Sequence, residues 1–192
     1  QVATENQQYA YNVTVTDGNG CSATASFTLP EPSHLTVTAA VQTAISCFEG
    51  SNGVAVATAA NGVETYSYAW SNGANAATNS NLAAGTYTVT ATDAYGCTAT
   101  ADVTFTHPDE LTSTVSNETA VLCFGDANGS GTITPAGGTA PYTVSIDNKV
   151  TTHNVAAGAS YTFTQLAAAT YNVLVTDANG CQMTNTITVN SP

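Results

Sequence analysis

Residues 35–41 read LTVTAAV, apolar and polar positions in turn, the period-two pattern of a strand with one buried face. The pattern returns at Val54–Ala59, Tyr66–Trp70, Tyr87–Thr92 and Thr98–Thr106. Over Tyr87–Thr92, Tyr87, Val89 and Ala91 share one face and three threonines the other. Turn chemistry separates these runs: SCFEGSNG, Asn61-Gly62, an Asn/Ala/Gly-rich loop over 71–81 with room for a short edge strand, and AYG. Six or seven short strands with turns about every 8–12 residues predict an antiparallel β-sandwich.

The same unit recurs along the chain. TDGNGC (Thr16–Cys21), TDAYGC (Thr92–Cys97) and TDANGC (Thr176–Cys181) place Cys21, Cys97 and Cys181 at offsets of 76 and 84 residues. Pro32, Pro108 and Pro192 keep both offsets, and CFEGSNG at Cys47 recurs as CFGDANG at Cys123, 76 residues on. The chain therefore divides into the C-terminal part of one repeat (1–33) and two whole ones (34–109 and 110–192). The eight extra residues of the last repeat fall between Ile146 and Leu166, around KVTTHNVAAGAS, and read as a lengthened loop. PEPSHL and HPDEL form short, Pro-containing junctions that stiffen the spacing between neighbours.

Two features sharpen the sandwich into an immunoglobulin-like one. Trp70 ends the third strand, where such folds bury an aromatic ring, and Tyr87 and Tyr171 open the penultimate strand at the place of a tyrosine corner. The expected class is all-β, with tandem immunoglobulin-like antiparallel β-sandwich repeats. If strands one, three and the penultimate one all run the same way, the CF turn and the TDxxGC turn share one end of the unit. Cys47 then pairs with Cys97 and Cys123 with Cys181, each bond worth roughly 4 kcal/mol in the chain-entropy account. Cys21 is left over, its partner expected before Gln1.

Composition narrows the function. One Lys, no Arg and thirteen acidic residues give a formal charge of −12, which leaves no means of holding a nucleic acid or an anionic membrane. No run approaches the roughly 18–20 apolar residues of a membrane-inserted helix. Five cysteines without CxxC or Cys/His metal spacing favour disulfides in an oxidising compartment. The chain starts at Gln1 and reads as a segment of something longer.

Candidate chemistry is sparse. Asp93, or Asp177 with Asn179, has the hard oxygens calcium prefers, but nothing completes a twelve-residue EF-hand loop, so these are read as turns. Asp126 and Asn128 in CFGDANG are the better calcium candidates, with Asn52 and Glu49 at the matching turn; Glu31, Asp109 and Glu110 could serve at the junctions. Tyr66, Tyr68 and Trp70 share a strand face that could stack on a sugar. Their counterparts Tyr142, Val144 and Ile146 favour a buried face instead. His34, His107 and His153 are scattered and read as solvated, and no Ser/His/Asp set, HExxH or paired-acid motif is present, so no enzymatic activity is expected.

CFGDANG, GGTAPYTVSI (Gly137–Ile146) and LAAATYNVLVTDANGC (Leu166–Cys181) together closely resemble the SprB-type repeat of giant cell-surface adhesins of gliding Bacteroidetes. The middle repeat departs from it, with NGVETY at Asn61–Tyr66 in place of GGTAPY. The resemblance implies a secreted filament exported through the Type IX pathway and displayed at the cell surface, its longest members serving gliding motility. The expected function is a structural and adhesive repeat segment giving reach, rigidity and multivalent contact. Its partners would be neighbouring repeats and an external surface or glycan. The alternative is a non-catalytic spacer or carbohydrate-binding module appended to a secreted enzyme.

Overall fold

A computed structural model describes residues 9–29, 34–147 and 149–192. Pro32 and the junction acid Glu31 lie outside them. The regular elements among the described residues are all β-strands. β1 (Tyr9–Thr16) and β2 (Ser22–Leu29) form an antiparallel hairpin in which Tyr11 pairs with Phe27 and Val13 with Ala25.

The middle repeat supplies β3 (Thr36–Thr43), β4 (Gly53–Ala60), β5 (Ser67–Trp70), β6 (Thr78–Leu82), β7 (Gly85–Thr92) and β8 (Thr98–Phe105). They form two three-stranded sheets, β3-β4-β6 and β5-β7-β8. Strands one, two and four of the unit thus face strands three, five and six, the partition of an immunoglobulin-like sandwich. Val89 and Ala91 of β7 are fully buried, while Thr88, Thr90 and Thr92, which alternate with them, are half-buried. Alternating Val/Thr sequence thereby becomes a half-buried pleat.

The last repeat follows the same plan with β9 (Thr112–Thr119), β10 (Gly129–Ala136), β11 (Tyr142–Ile146), β12 (Lys149–Val155), β13 (Tyr161–Leu166), β14 (Ala169–Thr176) and β15 (Gln182–Val189). Its sheets are β13-β10-β9 and β12-β11-β14-β15. The insertion read as a lengthened loop is instead strand β12, paired antiparallel to β11 with Tyr142 opposite Val155 and Val144 opposite His153. The segment KVTTHNV is rich in β-branched residues, and an open sheet edge offers it backbone partners that solvent would otherwise occupy.

Each complete repeat closes around its own core. Ile45, Ala55, Ala57, Trp70, Leu82, Val89, Val103 and Phe105 cluster in one, and Val121, Ile133, Val144, Ile146, Phe163, Leu166, Val173 and Ile187 in the other. The two cores trade volume at matching places. Where the middle repeat has Ala57 and Trp70, the last has Ile133 and Ile146, all buried. Where it has Ala55 and Val103, the last has Gly131 and Ile187. A Cβ placed on Gly131 would come within 2.4 Å of Ile187 Cγ2. Close-packed interiors keep total volume, not individual residues.

Strand directions correct the predicted disulfides. β3 runs from Leu35 toward Cys47, β4 returns, and β5 runs out again, starting beside the turn that contains Gly62. There a Cβ on Gly62 would lie 2.7 Å from Leu35 Cδ1 and 3.1 Å from Asp93 Oδ2. β7 pairs antiparallel with β5, Ser67 opposite Thr92 and Trp70 opposite Val89, so it runs back toward Leu35. The TDxxGC turn therefore lies at the Leu35 end and the CF turn at the other. An eight-residue strand spans about 26 Å, far beyond the roughly 7 Å Cα separation a disulfide tolerates. The pairs Cys47–Cys97 and Cys123–Cys181 do not form: Cys47 is bonded to Cys181, and Cys21, Cys97 and Cys123 are exposed free thiols. The third and penultimate strands are direct antiparallel neighbours and run in opposite directions, which puts the two turns at opposite ends.

Candidate functional site

The three TDxxGC hairpins share one geometry. In each, the Asp N–H donates to the Cys carbonyl four residues on (2.9–3.0 Å), and the Gly N–H donates to the Asp carbonyl. One carboxylate oxygen accepts from two backbone N–H groups: Asn19 and Cys21 at Asp17, Tyr95 and Cys97 at Asp93, Asn179 and Cys181 at Asp177, all at 2.9 Å. Gly20, Gly96 and Gly180 hold φ of 87°, 83° and 85°, the left-handed region that a side chain disfavours.

In the two complete repeats the second carboxylate oxygen reaches across the sandwich end. Val63 N–H donates to Asp93 Oδ2 at 3.1 Å, and Thr139 N–H to Asp177 Oδ2 at 2.9 Å. Asp93 and Asp177 are accordingly buried. The Val63 N–H, with those of Cys97, Tyr95 and Gly96, holds the Asp93 carboxyl below the ordinary carboxylate range against the opposing effect of desolvation. The departure at Asn61–Tyr66 leaves this turn intact: Asn61 adopts φ 64° where Gly137 adopts 66°.

The CF turns are likewise a matched pair. Gly50 N–H donates to Cys47 carbonyl at 3.0 Å and Asp126 N–H to Cys123 carbonyl at 3.1 Å. Asn52 Oδ1 accepts from Ser46 N–H and Asn128 Oδ1 from Leu122 N–H, each at 3.1 Å. Asn128 also donates to Asp126 Oδ2 at 3.2 Å. The two calcium candidates thus spend polar atoms on closing their own loop. Among the described residues no three His, Cys, Asp or Glu side chains gather to hold a metal ion.

The candidate site lies where the repeats meet. The chain leaves the middle repeat at Phe105, on its CF-turn end, and enters the last at Leu111, on its TDxxGC end, so the two are joined head to tail. Cys47 and Cys181 are bonded across this joint with Cα atoms 5.7 Å apart and 134 residues between them in sequence. Asn179 Nδ2 donates to Ser46 carbonyl and to Thr139 Oγ1, both at 3.0 Å, and Cys181 Sγ lies 3.3 Å from the same Ser46 carbonyl. Phe48 meets the junction ring of His107 edge-on at 4.6 Å. Gly138 N–H donates to Asp109 carbonyl at 3.0 Å, which seats the junction residues on the last repeat. A cleft of about 280 Å³ remains between these groups, lined by Phe48, Pro108, Glu110, Leu111 and Met183 among others.

The other predicted residues have local roles. The Tyr87 hydroxyl donates to Ala83 carbonyl at 3.2 Å and that of Tyr171 to Ala167 carbonyl at 3.0 Å, the hydrogen bond a tyrosine corner makes. Trp70 is buried with Nε1–H donating to Ala76 carbonyl at 2.9 Å. Tyr66 donates to Gly62 carbonyl and Tyr68 accepts from Ala59 N–H; both rings are half-buried, and Trp70 is buried in the core. His153, expected in solvent, stacks on Tyr161 at 4.0 Å and shares a hydrogen bond with its hydroxyl at 2.9 Å. Sequence reasoning missed Ser46, and it read Asn179 only as part of its own turn. The triplet of TDxxGC turns was visible, but not the neighbouring repeat that the last of them touches.

The profile of a family described as the SprB repeat matches residues 39–75 and 112–151, one stretch in each complete repeat. No curated protein matches the chain in sequence. Among solved structures it is similar to fibronectin(III)-like modules of Clostridium thermocellum CbhA, at 13% identity over 80% of this chain and 94% of that one, TM-score 0.34. It is also similar to a tetra-tandem repeat in the extending region of a large adhesion protein, at 18% identity over 100% of this chain and 58% of that one, TM-score 0.36. The human desmocollin-1 ectodomain gives 13% identity, 96% and 44% coverage, and TM-score 0.36. These scores are low, and the fold assignment rests on strand order and pairing.

Proposed function

We propose, from the premise that this chain carries two SprB repeats, that it is a structural and adhesive segment of a long filament at the cell surface. The observation that supports this best is the joint. Two sandwiches follow one another head to tail through residues 106–110, and a disulfide and side-chain hydrogen bonds tie one end to the next. Such a joint transmits tension and limits bending, which a reach-giving array needs. A disulfide also fits an oxidising, extracellular setting.

In this reading the repeats are units 34–109 and 110–192, preceded by the end of another at 1–33. Each contributes a modest, polar, acidic surface, and contact with an external surface or glycan gains strength by multiplicity through effective concentration. Export by the Type IX pathway and a role in gliding follow from the family's character. A spacer beside a secreted enzyme would use the same joint. A carbohydrate-binding module draws little support from Tyr66, Tyr68 and Trp70, of which the first two are half-buried and the last is buried. Antibody labelling of intact, unpermeabilised cells that make this protein tests the reading. Labelling along extended surface fibres is expected, and signal confined to permeabilised cells would sink it.

A further inference from the structure

We infer that the two repeat cysteines are the halves of one inter-repeat joint: the CF-turn cysteine of each repeat bonds the TDxxGC cysteine of the copy that follows it. Cys123 and Cys97 are then docking points for further copies of this same repeat. The inference rests on the tandem-repeat reading but not on adhesion, and the joint would exist in any array of these units.

The bonded pair Cys47–Cys181 supplies the template. Cys123 occupies in the last repeat the position Cys47 occupies in the middle one. Its turn is already in the joined shape, with the Asp126-to-Cys123 and Leu122-to-Asn128 hydrogen bonds matching those at Gly50 and Ser46. Cys97 and Cys21 stand where Cys181 stands, in hairpins with the same Asp-centred hydrogen bonds. The turns at the free cysteines therefore have the same shape as those at the bonded pair.

The surfaces around them differ from the occupied joint in one way. Phe48, beside bonded Cys47, is 38% exposed and packs on His107, whereas its counterpart Phe124 is 91% exposed and neighbouring Leu122 is 80% exposed. Tyr95, at the place of Asn179 beside free Cys97, is 79% exposed. Apolar side chains of this size left open on an otherwise Thr- and Asn-rich surface mark a contact face. The partner committed to is the TDxxGC end of another copy for Cys123, and the CF-turn end of another copy for Cys97. The topology excludes pairing within a repeat, because the two cysteines lie at opposite ends of the sandwich.

Closing each joint joins two thiols as one disulfide with loss of two protons and two electrons. A disulfide-bearing oxidant, protein or small molecule, accepts them and is itself reduced to two thiols. The bond holds neighbours together and does not staple one sandwich shut, so each repeat depends on its own core for folding.

The test is disulfide mapping without reduction, on this chain and on the chain extended past Pro192 by a second copy of residues 110–192, each refolded in oxidised glutathione. Cleavage before aspartates puts Cys97, Cys123 and Cys181 on separate peptides. The original chain is expected to yield Cys47–Cys181, with Cys21, Cys97 and Cys123 alkylated. In the extended chain Cys123 is expected to move into a bond with the added copy of Cys181. A Cys97→Ser variant is expected to keep Cys47–Cys181 intact. Recovery of Cys47–Cys97 or Cys123–Cys181, loss of the Cys47 bond in Cys97→Ser, or Cys123 still alkylated in the folded extended chain would each overturn the proposal. None of these outcomes bears on where the protein is displayed, which the labelling experiment decides separately.

Discussion

Asn179 donates its carboxamide to the carbonyl of Ser46, 133 residues away in sequence, at 3.0 Å. This hydrogen bond spans two repeats with separate cores and lies beside the disulfide that joins them. Replacing Asn179 with Ala removes it together with the bond to Thr139. The expected cost is about 1 kcal/mol of joint stability, read as roughly fivefold faster hydrogen exchange across residues 44–52 with the disulfide reduced. Unchanged exchange there would show that the bond does not hold the joint.

The volume trade between the cores predicts a strongly coupled pair. Gly131→Ala alone forces Cβ into Ile187 and is expected to cost about 1–3 kcal/mol. Ile187→Val alone should cost about 0.5–1.5 kcal/mol. Combined, they recreate the Ala55/Val103 arrangement of the middle repeat, and the double variant should be more stable than Gly131→Ala by itself. Urea titrations showing simple additivity would contradict this.

Glu49 holds φ 53° where its counterpart Gly125 holds 88°. A side chain in the left-handed region costs about 1–2 kcal/mol, so Glu49→Gly is expected to stabilise the middle repeat by up to about 1 kcal/mol, the flexibility of glycine in the unfolded chain offsetting part of the gain. A lower urea midpoint for the variant would refute the strain argument.

Asp93 titrates lower in the folded state than in the unfolded chain because Val63, Cys97, Tyr95 and Gly96 donate to it. Its contribution to stability is therefore full above the unfolded carboxylate value, about 3.9. It falls away as pH drops through the lower folded value. Acid titration of wild type against Asp93→Asn should show a steeper loss for wild type below about pH 4. Parallel acid limbs would mean the carboxylate's charge plays no part.

Much of the fold was legible in the sequence. Alternation in LTVTAAV and YTVTATD is a local consequence of the pleat, and the observed strands begin and end within a few residues of those runs. The turns were legible for the same reason, since Asp, Asn and Gly at fixed offsets determine their own hydrogen bonds. The insertion around Lys149–Val155 was not, because a polar, β-branched segment becomes a strand only when a free sheet edge lies beside it.

The cysteines divide the two kinds of information most sharply. Sequence alone determines that they recur at fixed places in each unit and that each sits in a stereotyped turn, because those features depend on neighbours within a few residues. Which cysteine meets which depends on strand direction, and a period-two pattern reads the same in both directions. Only tertiary packing, which sets β7 antiparallel to β5 and places one repeat head to tail on the next, brings Cys47 to Cys181 and keeps it a full strand length from Cys97.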